Sequence, residues 1–344
     1  MKLREFQQHL QRQNIRLAIL THPDPNITYF TQMKPSYAFL LIAPEEATLY
    51  LTKLDRPPKT AGIKVKSLSK EWSKSRKKIT KIGINKNSLG VAALERLKKR
   101  FPQAKFVDIS TKLEELREEK TTEEIKKITQ ACRLTADAFN SLLKELPRKN
   151  LHTEQDVALF LEKEIRQHGG DIAFPTIAAM AEHAAAPHHV TSTSLLKRGF
   201  LVLDFGASYQ HYCADMTRTI FLGKPNAPEK KSYYLLLAAQ QAAIDKVAAG
   251  VPFRDLDKVA RKKLGKYAQY FIHSLGHGIG IEVHEGSQYR DKKGKIKKNQ
   301  VFTIEPGIYI PGKIGLRIED TLLFDGKARI LTKSTKELIS VPFL

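Results

Sequence analysis

The stretch LVLDFGASYQHYCADMTRT, residues 201–219, closes an apolar run on Asp204 and sets a second acid, Asp215, beyond the turn-forming Gly206 and Ser208. That pattern predicts one hairpin with both carboxylates on the same face. VFTIEPGIYIPGKIGLRIED, residues 301–320, repeats it with Glu305 and Glu319, and the intervening Pro306, Gly307, Pro311, Gly312 and Gly315 suit a second, longer hairpin. Between the two, HSLGHGIGIEVHEG, residues 273–286, contributes His277. An acid at the end of an apolar run faces a desolvation penalty of several kcal/mol, roughly that of one buried ion. A divalent cation shared by such acids offsets it. The five side chains therefore read as a two-metal hydrolytic site on an α+β framework.

Four carboxylates and one imidazole form an oxygen-rich set that favours Mn²⁺, Fe²⁺, Co²⁺ or Zn²⁺ over a thiolate-selected metal. Four carboxylates also balance two divalent ions, and such a pair can lower the pKa of a shared water and polarise a carbonyl. The glycines of Leu275-Gly276-His277-Gly278-Ile279-Gly280 argue against the helix that an HExxH zinc motif needs, and for a strand or turn of bare backbone. They also lack the spacing of a dinucleotide fingerprint.

With 344 residues, 42% of them hydrophobic and 27% charged, the chain is too apolar for disorder and long enough for two cores. Residues 1–113 alternate helix and strand: a helix over Arg4–Gln13, strands over Leu17–Leu20, Tyr37–Ile42 and Ala47–Leu51, and a helix over Val91–Lys99. This predicts a smaller α/β domain with no acid and histidine cluster of its own. Residues 114–344 form the second domain. There Ile125, Ile128, Ala131, Leu134, Ala138 and Leu142 recur at helical spacing in a linker helix, and Thr153 with Asp156 starts a helix over Glu154–His168 that ends at Gly169-Gly170. Further helices are expected over about Ser232–Ala249 and Phe253–Gln269, packed with the others on an antiparallel sheet.

The net charge of +22 raises binding to nucleic acid or an acidic surface. The lysines do not interleave with aromatics as a base-stacking platform does, so the reading is a solvated basic surface and not a nucleic-acid partner. MKLREFQQHLQRQNIRLAIL, at the start, lacks the continuous apolar core of a signal peptide or membrane span, which predicts a cytoplasmic protein with no membrane attachment. Cys132 and Cys213 match no metal-site spacing and read as buried reduced thiols.

LDFGASYQHYCADMTRT, GHGIGIEVHE, FTIEPGIYIPGKIGLRIED and the AAAPHH of Ala184–His189 together resemble the pita-bread metallopeptidases, the family of methionine aminopeptidase, aminopeptidase P, prolidase and creatinase. HPDPNITYFTQM, at His22–Met33, is more loosely similar to the creatinase-type amino-terminal domain. The two-domain layout and the LRIED ending resemble the proline-specific branch, aminopeptidase P and prolidase. The resemblance implies a C-terminal pita-bread domain with helices on a curved antiparallel sheet. It implies two divalent ions, manganese first with cobalt, iron or zinc as alternatives, and a homodimer acting on peptides with proline second. Asp204 is then implied to chelate one metal, Asp215 and Glu319 to bridge both, and His277 and Glu305 to complete the other. Glu305 is also implied as the proton shuttle, and His188 and His284 as donors to the substrate carbonyl or the tetrahedral intermediate. His273 and Arg317 would border the substrate, with Arg317 and Thr217 also holding the bridging acids.

An Xaa-Pro bond offers no N–H and a locked φ, so its site calls for a shaped apolar wall, for which Phe174, Tyr209 and Tyr212 are candidates. Gln288 stands where prolidase-like relatives carry an Arg able to pair with a dipeptide's carboxylate, although Arg290 is close enough to compensate. This favours an Xaa-Pro aminopeptidase, with an Xaa-Pro dipeptidase as the alternative. A non-catalytic basic binding module of the same fold is disfavoured because all five ligands are present. Creatinase-type hydrolysis of a small C–N substrate is disfavoured by the same full set.

Overall fold

The computed structural model describes residues 2–342 apart from 59, 70, 71, 73–77, 149 and 287–293. It divides into two compact units, Met1–Arg117 and Glu118–Leu344; the sequence pattern had suggested a break after residue 113. The first unit carries strands β1 (Leu17–Thr21), β2 (Ala38–Ile42), β3 (Ala47–Leu51), β4 (Lys64–Ser67), β5 (Lys81–Ile84) and β6 (Lys105–Asp108), in the order β4-β3-β2-β1-β5-β6. β1, β2 and β3 pair antiparallel, whereas β4, β5 and β6 join in parallel. Helices α1 (Lys2–Arg12), α2 (Pro25–Thr31), α3 (Val91–Arg100) and α4 (Ser110–Glu118) complete the α/β pattern. Leu17, Ile19, Ile82 and Ile84 pack with Leu97 and Phe101 in its core. The run at 17–20 is apolar without alternation because a central strand of such a sheet is covered on both faces.

The second unit opens with α5 (Thr122–Glu145) and α6 (Glu154–Gln167), each started by a capping box, Thr121 with Glu124 and Thr153 with Asp156. Gly169 follows α6 with a φ of +84°, a conformation that favours glycine. Then come β7 (Asp171–Ile172), β8 (Ile177–Met180), β9 (Gly199–Phe205), β10 (Ala207–Tyr209), β11 (Tyr212–Cys213) and β12 (Met216–Leu222), and helices α7 (Ala227–Asp245) and α8 (Phe253–Leu264). The chain ends in β13 (Gln300–Ile304), β14 (Gly307–Ile310), β15 (Ile314–Arg317), β16 (Asp320–Phe324), β17 (Ala328–Ile330) and β18 (Ser340–Val341). One sheet has the order β18-β12-β9-β8 and another β13-β16-β17. Their pairings are antiparallel except for β12 with β18.

Helices back each sheet. Leu201, Leu203 and Phe205 of β9 and Met216 and Ile220 of β12 pack with residues of α5 and α6, while Phe302, Ile304, Leu322 and Phe324 pack with residues of α7 and α8. The two-residue period turns Asp204, Thr303 and Glu305 to the opposite face. The sheets are stitched together there: the Glu319 N–H donates to the Thr217 carbonyl (3.1 Å), and the Thr219 hydroxyl donates to the Arg317 carbonyl (2.7 Å). This is the α+β arrangement expected from sequence.

Two helices differ from expectation by more than two residues, and α7 does so at both ends, stopping at Asp245, short of Ala249. α7 begins at Ala227 because Asn226 and Glu229 form a third capping box with Pro228 in the first turn, a start signal hidden in a polar stretch. α8 stops at Leu264, and the rest of the expected helix is a 3₁₀ segment, Gly265–Tyr270. No helix among the described residues is long and apolar enough to cross a membrane.

Candidate metal centre

Asp204 lies directly opposite Thr217 across the β9–β12 pair. Asp215, two residues before Thr217, falls on the same face, as the hairpin reading required. The second pair is set by a nested hairpin: Ile304 pairs with Asp320, so Glu305 and Glu319 stand at the adjoining ends of β13 and β16, with the β14–β15 hairpin between them. His277 sits in an irregular segment held against β13. The Thr303 N–H donates to the His277 carbonyl (2.8 Å), the His277 N–H to the Thr303 hydroxyl (3.1 Å), and the Glu305 N–H to the Leu275 carbonyl (2.8 Å). Gly276 permits this approach, since a Cβ there would lie 2.0 Å from the Thr303 carbonyl oxygen.

All five residues line one cavity of about 620 Å³. His277 Nε2 is 3.5 Å from Asp215 Oδ2 and 3.3 Å from Glu305 Oε1. The Thr217 hydroxyl donates to Glu319 Oε2 (2.7 Å) and accepts from Arg317 Nε (2.9 Å). Arg317 also donates through Nη2 to Asp204 Oδ2 (2.5 Å), and through Nη1 to the Tyr309 hydroxyl (2.9 Å) and the Pro187 carbonyl (3.3 Å). Three of the carboxylate oxygens, Asp204 Oδ1, Asp215 Oδ1 and Glu319 Oε1, are buried without a hydrogen-bond partner among the described residues.

The electrostatics follow from that crowding. Burial, then the charges of Asp204 and Glu305, push Asp215 well above the usual carboxylate range; burial, then Asp215 and Asp204, do the same to Glu319. Glu305 is pushed up to about 8 by burial and then by Glu319. Three orphaned carboxylate oxygens beside an imidazole form a donor set that protein groups leave unsatisfied and that a hard or borderline divalent cation satisfies. The residues fit metal.

The other expected residues divide. His188 and His284 line the same cavity, and the His284 ring lies 4.1 Å from that of His277 at 73°. His273 also lines it; its Nδ1 is 2.8 Å from the Ser274 carbonyl and so carries the hydrogen, leaving Nε2 to accept from Tyr309 OH (2.9 Å). Burial holds its pKa down to about 4, so the ring is neutral. Of the three aromatic candidates for the apolar wall, only Phe174 lines the cavity, joined by Ile177 and Val283. Tyr212 is buried with its hydroxyl donating to Glu124 (3.3 Å), and Tyr209 packs into the apolar core behind the sheet. Gln288 and Arg290 lie outside the described residues. Cys132 and Cys213 are free, buried thiols, and burial pushes Cys213 up to about 12.

Sequence reasoning missed Tyr309, whose hydroxyl links Arg317 to His273, and missed a cluster of Glu154, His183 and His189. Nothing local distinguishes Tyr309 in its strand. Glu154 reads as an ordinary first-turn acid of a helix.

Residues 126–325 match the model of metallopeptidase family M24, and residues 2–118 match that of the creatinase/prolidase N-terminal domain. The chain is similar to an Xaa-Pro dipeptidase of Pyrococcus horikoshii, 38% identical over 336 residues that cover 94% of each chain. The crystal structure of the prolidase from Pyrococcus horikoshii aligns with a TM-score of 0.91 at 33% identity, covering 98% of this chain and 99% of that one. That of an X-Pro aminopeptidase from Thermotoga maritima aligns with a TM-score of 0.86 at 30% identity, covering 97% and 100%.

Proposed function

The chain belongs to metallopeptidase family M24, and from that membership we propose that it is an Xaa-Pro dipeptidase, a metallo-exopeptidase that hydrolyses the bond before a C-terminal proline. The observation that carries the choice is the near full-length similarity to an Xaa-Pro dipeptidase and to a prolidase structure. This reverses the preference drawn from Gln288 and adopts the reading kept as the alternative. The aminopeptidase reading stays as the second, on the likeness to the Thermotoga maritima enzyme.

Family M24 implies divalent metal ions; we take two, with manganese first. Asp204, Asp215, His277, Glu305 and Glu319 would hold them, their orphaned and repelling oxygens being the reason. When bound, such ions supply Lewis acidity to the scissile carbonyl and acidity to the attacking water. Glu305 takes the water's proton at its carboxylate and passes it to the departing proline nitrogen. His188 and His284, at the cavity wall, donate to the carbonyl oxygen as it gains charge. Phe174, Ile177 and Val283 accept the pyrrolidine ring, which has no N–H to satisfy. Arg317 and Thr217 fix Asp204 and Glu319. A homodimer in the cytoplasm, with peptides as its partners, belongs to the same reading.

The test is a mass-spectrometric time course of Mn²⁺-loaded protein with Ala-Pro and Ala-Pro-Ala together, beside Ala-Ala-Ala. Prompt loss of Ala-Pro with both tripeptides spared is expected. Release of Ala from Ala-Pro-Ala with Ala-Pro spared would make it an aminopeptidase. No cleavage by protein that holds two metals would leave the basic binding module.

A further inference from the structure

We propose that Glu154 is a positioning residue that fixes His188 against the substrate, acting through a hydrogen-bonded brace on the segment that follows β8. Its carboxylate is fully buried, yet no lysine or arginine is bonded to it in the described contacts. It is held instead by donors from residues 180–192. Oε1 accepts from the Met180 N–H (2.8 Å) and His183 Nδ1 (2.8 Å). Oε2 accepts from His189 Nε2 (2.9 Å), the Ser192 N–H (3.2 Å) and the Ser192 hydroxyl (2.8 Å). The rings of His183 and His189 stack at 4.7 Å and 23°. Burial alone would raise the Glu154 pKa, but these bonds outweigh it and keep the carboxylate ionised.

The backbone ties the same two segments together. The Glu154 N–H donates to the Ser194 carbonyl and the Gln155 N–H to the Ser192 carbonyl, both at 3.0 Å, so the first turn of α6 is bonded to the chain beyond His189. His188 is thereby gripped from both neighbours. On one side the Pro187 carbonyl accepts from Arg317, and on the other His189 is turned away from the cavity onto Glu154. His188 itself is exposed in the cavity and needs that external support. Each Glu154 oxygen already meets its donors at hydrogen-bond length, so the cluster is a brace and not a third cation site.

The proposal rests on the reading that His188 acts on the substrate, and a double-mutant cycle separates the two. In the full chain loaded with Mn²⁺, Glu154→Gln is expected to lower kcat on Ala-Pro about ten- to a hundredfold through misplacement of His188, with the metal content unchanged. In a His188→Ala background the same substitution should cost less than about twofold, because the group it positions is gone. His189→Phe, which keeps a ring on His183 and removes the bond to Glu154, should behave alike and decides the matter if Glu154→Gln folds poorly. An equal loss in both backgrounds would overturn the brace, as would loss of a third bound ion on Glu154→Gln. A kcat unchanged by His188→Ala alone would remove His188 from the reaction, and the brace with it.

Discussion

Arg317 and Asp204 face one another through a 2.5 Å contact from Nη2 to Oδ2, so the one guanidinium among the described cavity residues is committed to a protein carboxylate. Its other nitrogens are occupied by Thr217, Tyr309 and Pro187. A planar fork that fixes four partners is not replaced by an ammonium. Arg317→Lys should therefore weaken Mn²⁺ affinity or lower kcat by about 10–100-fold, as loss of a group that orients a ligand does. Metal titration beside steady-state kinetics checks it. A raised KM with metal affinity and kcat intact would return Arg317 to the substrate-binding role first expected of it.

Glu305, Asp215 and Glu319 share a second consequence, in pH. Each has its folded pKa raised, Glu305 from 4.5 to about 8, by burial and mutual repulsion. The metal-free fold therefore prefers these groups protonated. That preference is fully present below the unfolded carboxylate pKa and is lost as pH rises, for Glu305 through about 8. Chelator-treated protein should melt at progressively lower temperature between about pH 5 and pH 8.5, while Mn²⁺-loaded protein should not. The gap between the two melting curves widens with pH. A metal-free melting temperature that rises across this window would contradict the repulsion.

Much of this was legible in sequence, and the gaps have physical causes. The ligand strands were readable because apolar alternation and turn glycines act over a few residues, as at Leu201–Asp204. α5 and α6 were readable from periodicity and, for α6, a cap. The aromatic wall was not: whether Tyr209 and Tyr212 point inward depends on Gln210 and His211, both at positive φ in the tight turn between β10 and β11. Propensity gives no notice of two such non-glycine residues in succession. Nor could the sequence assign Glu154, whose side-chain partners lie as far along the chain as Ser192 and are brought to it only by the packing of α6 on β8.

Behind the site, Arg218 is almost wholly buried and donates to Asp320 Oδ1 (2.7 Å) and to the carbonyls of Thr217, Glu319, Thr332, Ser334 and Thr335. Lys336 reaches the other Asp320 oxygen at 2.8 Å. Burial would raise the Asp320 pKa, but the charges of Arg218 and Lys336 outweigh it and hold the carboxyl below its usual value. Arg218→Met leaves a buried carboxylate with half its compensation and should cost about 3–5 kcal/mol. Urea unfolding of metal-loaded protein measures this. A change under about 0.5 kcal/mol, the range of ordinary surface substitutions, would mean that the network is dispensable.

Gly276 tests how closely the His277 segment must lie on β13. A Cβ would meet the Thr303 carbonyl oxygen at 2.0 Å and its carbon at 2.8 Å, and both are backbone atoms of β13, which cannot rotate away as a side chain could. The segment must lift, breaking the bonds that seat His277 and Glu305 on either side. Gly276→Ala should therefore lose both metal and peptidase activity, with a destabilisation above about 1 kcal/mol. Gly90→Ala is the control, since a Cβ there meets nothing within 4 Å. Metal analysis of the two purified variants decides: full occupancy in Gly276→Ala would show that the segment can retreat without moving His277.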